Sequence, residues 1–267
     1  MKVKTPKETY LDARTIGDVK VTLGRTSLPR MAVMATAAGA YISLGALLSV
    51  VVGFGMPEAA AANPSLQRLL SALTFPIGLV LIVVLGGELF TGNNALLVPG
   101  LVERRFGWRD VALNWTMVWI FNFVGALLFI AVFVAGADML TVEPWKSAIV
   151  KIAEAKANSM TWWTVFFKAV GANWCVCLAV WLALSGKTLG EKILACWIPV
   201  GAFVALGFEH CIANMFFIPA GMFGGAEVTM KALFVDNLLP ATLGNIVGGA
   251  ILVGTLHSWL HRDRTNK

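Results

Sequence analysis

The chain has 267 residues, 58% of them hydrophobic and only 13% charged, with a formal net charge of +6. Such a composition excludes a soluble globule of ordinary usage. The charges cluster between long uncharged runs, so the positive balance is read as membrane topology and not as nucleic-acid binding.

In chain order, residues 1–30 hold Lys2, Lys4, Lys7, Arg14, Lys20, Arg25 and Arg30 but no apolar core followed by a small-residue cleavage site. They are expected to form a cytoplasmic arm at the membrane surface, with no signal peptide. Apolar runs follow at 32–56, 69–101, 111–137, 162–184, 193–226 and 238–256, charged only at Glu88, Lys168 and Glu209. Each is long enough for a crossing of roughly 20 residues. They predict an all-α membrane protein with six transmembrane helices. One channel domain is expected over 31–260, with internal repeats at about 31–137 and 161–260, and a tail over 261–267. With the N-terminus inside, the arm, the 104–109 loop, the 187–192 loop and the tail carry most of the Lys and Arg on one face. The positive-inside rule then places both termini in the cytoplasm.

The second and fifth runs are too long for one straight helix, and they share a motif. Gly86-Gly-Glu88-Leu-Phe-Thr-Gly-Asn93 and Gly207-Phe-Glu209-His-Cys-Ile-Ala-Asn214 both read Gly-x-Glu-x4-Asn, with Gly100 and Gly221 seven residues on. A carboxylate and an amide at membrane depth are costly unless the backbone breaks there and lines a cavity. Helices two and five are therefore expected to be broken, and glycine tolerates the angles such a break needs. Ala37-x-Gly39-Ala40 recurs as Ala169-x-Gly171-Ala172, and Asn122-x-Val124-Gly125 as Asn245-x-Val247-Gly248, in the same order. Three spans per half is an odd number, so the second copy enters from the opposite side, as a 3+3 inverted repeat.

Few polar groups lie at membrane depth. Thr91 and Asn93 fall in the first break, His210 and Asn214 in the second, and Asn173 and Lys168 in the fourth span. His210 is the one group there with an unperturbed pKa, roughly 6.5, near neutrality. It reads as a path residue, against the plainer alternative of a core histidine satisfied by Thr91 or a carbonyl. His257 and His261 sit at the end of span six, so a stacked intramembrane histidine pair is missing. Glu88 and Glu209 are read as scaffold groups, each accepting from amides freed where its helix unwinds. Lys156, just outside span four, is either an anion-attracting vestibule group or a solvated loop lysine; Lys168 reads equally as a pore residue or as a side chain snorkelling to the surface. Leu79, Leu89, Phe90 and Phe203 are candidate apolar constrictions or plain helix packing. No metal, cofactor or nucleophile motif stands out. Cys175, Cys177, Cys196 and Cys211 read as small hydrophobes.

Glu88-Leu-Phe-Thr91, Ala172-Asn173, Gly207-Phe-Glu-His210-x-Ile-Ala-Asn-Met215 and Asp236-Asn-x-x-Pro240-x-Thr-x-Gly-Asn245 together resemble the formate/nitrite transporter family, and Phe216 to Gly221 resembles its formate channel branch. The resemblance runs from about Met31 to Trp259. It implies an aquaporin-like protomer, a homopentamer with one pore per subunit, and a membrane location, here the bacterial inner (plasma) membrane. It makes Leu79, Leu89 and Phe203 the constrictions, puts Leu89, Phe90 and Thr91 in the loop that breaks span two, and sets Thr91 opposite His210. Asn173 would line the outer side. Lys156 would be the vestibule lysine, although its spacing to Asn173 is a residue long, which leaves Lys151 as a second candidate. The expected function is a channel or transporter, not an enzyme, for small anions of weak acids. Formate comes first, then nitrite or hydrosulfide, with protons, and with His210 assisting protonation or pairing of the anion. The alternative is a neutral-solute or ammonia-type channel.

Overall fold

The computed structural model describes residues 3–263. Lys2, Arg264 and Lys267, and most of the expected 261–267 tail, lie outside the described residues. Helix α1 (Pro6–Thr26) starts at a capping box, where Thr5 Oγ1 accepts the Glu8 N–H and the Glu8 carboxylate accepts the Thr5 N–H at 2.7 Å. It is strapped across one end of the molecule. Tyr10 and Arg14 both donate to Glu103, and Arg25 grips Asp110 with two bonds of 2.8 Å. Arg105 donates from the neighbouring loop to Asp18, which holds its guanidinium above its ordinary pKa. The surface arm is thus a docked helix.

The order then runs α2 (Leu28–Gly53), α3 (Pro64–Leu85), α4 (Phe90–Leu96), α5 (Trp108–Ala135), α6 (Trp145–Asn158), α7 (Trp162–Ser185), α8 (Leu189–Ala205), α9 (Cys211–Gly224) and α10 (Ala232–His261). Short turns at Pro57–Ala62 and Val98–Val102 complete it, and there is no strand among the described residues. Five helices, α2, α3, α5, α7 and α10, are long and apolar enough to cross a bilayer. The fifth run, 193–226, is divided between α8 and α9, as the second, 69–101, is between α3 and α4. Large apolar side chains such as Val33, Leu85, Phe167, Ile198 and Leu206 are exposed around the bundle, where lipid tails are their solvent. The turns of α5 over 130–135 and of α10 over 232–238 and 247–255 widen to π-helical geometry.

Small residues set the helix crossings. A Cβ on Gly39 would strike the Asn122 carbonyl where α2 crosses α5, and one on Gly248 would strike the Val170 carbonyl where α10 crosses α7. These two contacts bring Asn122 and Asn245 against the points where α3 and α8 stop.

Candidate functional site

Helix α3 ends at Gly86 with φ 84°, and α8 runs out at Leu206 before Gly207 with φ 67°. A Cβ at either position would meet open space, so the left-handed angle, not crowding, calls for glycine. The chain is then extended through Leu89 and His210 and re-enters helix at Phe90 and Cys211. Phe90 and Thr91, expected in the break, are therefore the first turn of α4.

Backbone groups freed at the two breaks find equivalent partners. Asn122 accepts the Phe90 N–H at 3.0 Å and donates to the carbonyls of Ala35 and Glu88 at 2.7 and 2.9 Å. Asn245 accepts the Cys211 N–H at 2.9 Å and donates to those of Ala169 and Glu209 at 2.7 and 3.1 Å. The Glu88 N–H reaches the Met34 carbonyl, and the Glu209 N–H that of Lys168. The glutamate side chains, expected to accept these amides, take other donors. Glu88 accepts from Lys20 Nζ at 2.7 Å and Asn93 Nδ2 at 2.8 Å, and Asn93 also donates to Asn114. Glu209 accepts from Lys156 Nζ at 2.8 Å and Asn214 Nδ2 at 2.7 Å, and Asn214 also donates to Asn237. Asparagine side chains and neighbouring backbone carbonyls already hold these amides, which leaves the carboxylates to neutralise a lysine each. Both pairs are nearly dry, with side-chain exposures of 10% and 5% for Lys20 and Glu88, and 16% and 4% for Lys156 and Glu209.

His210 joins the two breaks. It is the N-cap of α9, and its Nδ1 accepts the Ala213 N–H at 3.1 Å. In the neutral ring the hydrogen must then sit on Nε2, which lies 3.0 Å from Thr91 Oγ1. The ring donates to Thr91, and the threonine hydroxyl keeps its own hydrogen free to donate onward. Asn173 Nδ2 reaches the Thr91 carbonyl at 3.2 Å and the Asn245 carbonyl at 2.6 Å. Asn173 is fully buried and lines neither cavity described below. It positions Thr91 from behind.

Two vestibules approach this centre. One, of about 290 Å³, is lined by His210, Glu209, Asn214, Lys156, Phe203 and Arg68. The other, of about 280 Å³, is lined by Lys20, Glu88, Asn93, Leu79, Leu89 and Val19. Leu79 and Leu89, both buried, line the second. Phe203 meets Phe75 edge-on at 5.6 Å and lies nearly parallel to the His210 ring at 5.9 Å, and all three line the first. The seven-residue spacing of Phe203 and His210 does not put them on one helical face, because α8 ends between them; the break at Gly207 stacks the rings instead. Phe90 points elsewhere, edge-on to Trp115 in an outward groove with Trp119. Leu89 is extended and Phe90 begins the helix, so their side chains diverge, and only Leu89 lines the second cavity. Lys151 lines a separate surface cavity with Glu143, so of the two lysines only Lys156 borders the cavity at His210.

Sequence reasoning missed Lys20, Phe75, Asn114 and Asn237. The asparagines were visible in principle: Asn114 to Asn122 and Asn237 to Asn245 span the same interval, one repeat apart. Lys20 carried no signal, since it sits in a charged arm.

A model of the formate/nitrite transporter family matches residues 7–259. A probable formate transporter of Methanothermobacter thermautotrophicus is 43% identical over 95% of this chain and 96% of its own length. The formate channel FocA of Haemophilus influenzae is 36% identical over 82% and 84%. Among solved structures, an FNT family ion channel superposes with a TM-score of 0.86 at 29% identity, covering 94% of this chain and 98% of that one. A pentameric formate channel with formate bound superposes at 0.78 and 31% identity, covering 88% and 98%.

Proposed function

This chain belongs to the formate/nitrite transporter family and is a membrane channel or transporter for small anions, and from that premise we propose that formate is the anion it carries. The path runs from one vestibule to the other between the Phe75–Phe203 and Leu79–Leu89 constrictions, past Thr91 and His210. The two breaks would be the halves of an aquaporin-like inverted repeat. In it α3 with α4 and α8 with α9 complete a set of six crossings, and both termini face the cytoplasm across the plasma membrane. On this reading α1 belongs to the channel unit, because Lys20 lines a vestibule. A homopentamer, as in the similar solved formate channel, is the expected assembly.

The observation that carries the reading is the 3.0 Å bond between His210 Nε2 and Thr91 Oγ1, which joins the residues that follow the two breaks. A bare anion at the bilayer centre costs at least ~3 kcal/mol. The imidazole N–H orients the threonine hydroxyl, and that hydroxyl meets the anion, with the positive N-terminal end of α9 alongside. Full proton donation from the ring would first need a second ring hydrogen on Nδ1, which faces the Ala213 N–H. The geometry therefore favours pairing the anion by a hydrogen bond over handing it a proton. Nitrite and hydrosulfide share the charge and weak-acid character that this chemistry addresses.

Flux of formate, nitrite, hydrosulfide and methylammonium through purified protein in liposomes, at two pH values, tests the proposal. Formate flux that falls sharply in His210→Phe is the expected result. Methylammonium uptake without formate uptake would establish the neutral-solute alternative instead.

A further inference from the structure

We propose that Arg68, and not the vestibule lysine, captures the anion at the mouth of the His210-side vestibule; the inference rests on the formate reading above. Lys156 is the obvious cation there, but Glu209 accepts from it at 2.8 Å, and the pair is almost wholly buried. A buried pair of this kind presents little net charge to an arriving ion. Arg68 lines the same cavity from α3 and is exposed. Its one hydrogen bond is long, 3.5 Å from Nη1 to the Ala205 carbonyl at the end of α8, and it meets no carboxylate among the described residues. A guanidinium offers five N–H donors in a planar fork that matches a carboxylate. Most of that fork is free, and formate is a bare carboxylate.

The opposite vestibule lacks this feature. Lys20 is its one basic lining residue among the described residues, and Glu88 pairs with it. Low-dielectric walls focus the field of an unpaired charge into a cleft. The two mouths should therefore differ in anion capture although their buried circuits match. A unit charge about 8 Å from the path, little screened at low salt, is worth about two- to threefold in local anion concentration.

The competing role for Arg68 is to cap the last carbonyls of α8. Ionic strength separates the two. Initial formate flux at limiting substrate is measured in liposomes with wild type, Arg68→Gln and Arg68→Glu, at low and high salt. A loss of about two- to threefold in R68Q at low salt, larger in R68E and gone at high salt, with maximal flux unchanged, is expected. Flux in both variants equal to wild type at low salt, or a loss that persists at high salt, overturns the inference while leaving the formate reading intact. Wild-type liposomes no faster than empty ones would overturn both.

Discussion

The two breaks share a skeleton and differ in what they show to the path. Each has a left-handed glycine, a glutamate paired to a lysine, an asparagine bridging to a second asparagine, and a third asparagine holding the restarted helix. At the positions facing the centre the residues trade places. Leu89 occupies the N-cap of α4 without a side-chain bond, while His210 caps α9; Thr91 stands where the second half has Ile212. Matched buried circuits hold the backbone open, since neither break could leave donors unpaired in lipid. The polar pair is then assembled once, with the hydroxyl from one half and the imidazole from the other.

Breaking the shared circuit should have the largest effect. Glu88→Gln or Glu209→Gln strands a buried lysine, and each should cost about 3–5 kcal/mol, read as thermal unfolding in detergent. Equal losses support equivalence; a silent Glu88→Gln beside a damaging Glu209→Gln would end it. The double variant Lys156→Met with Glu209→Gln should recover most of the stability. Next come the crossings: Gly39→Ala and Gly248→Ala each push a methyl into a backbone carbonyl, for about 1–3 kcal/mol by the same assay.

The difference between the halves is sharpened by Thr91→Val. It removes the hydroxyl at nearly constant volume and should lower formate flux about tenfold with unfolding little changed. Placing the hydroxyl on the twin position, Ile212→Thr, should not restore it, because only Thr91 meets Nε2. The smallest effect concerns the strap. Lys7 holds the Asp263 carboxyl below its usual range, chiefly by their hydrogen bond. A depressed carboxylate contributes stability above its unfolded pKa and loses it as pH falls through the folded value. Below about pH 4, amide exchange at the start of α1 should quicken while that of α6 does not.

Much of this was legible in the chain itself. Gly86, Gly207, Glu88 and Glu209 stand out because lipid tolerates neither unsatisfied backbone nor unpaired charge, so any such residue in an apolar run must mark a special place. Asn122 and Asn245 were visible as a repeat, though not as clamps. What could not be read was direction and partnership. Asn173 and Phe90 looked like lining residues, yet one sits behind Thr91 and the other faces Trp115, because a helix turn of one residue's uncertainty rotates a side chain out of a pore.

From its residues alone, this chain is committed to the membrane, to an internal repeat, and to two glycine-marked glutamates in apolar runs. Those follow from the period and polarity of the chain against a solvent that cannot hydrogen-bond. Tertiary structure alone decided that Lys20 reaches in from its charged helix to neutralise Glu88, that Phe203 stacks on His210 across the break at Gly207, and that Nδ1 is spent on capping α9. Each joins groups on different elements, and only packing fixes which side chains of separate helices come within bonding distance.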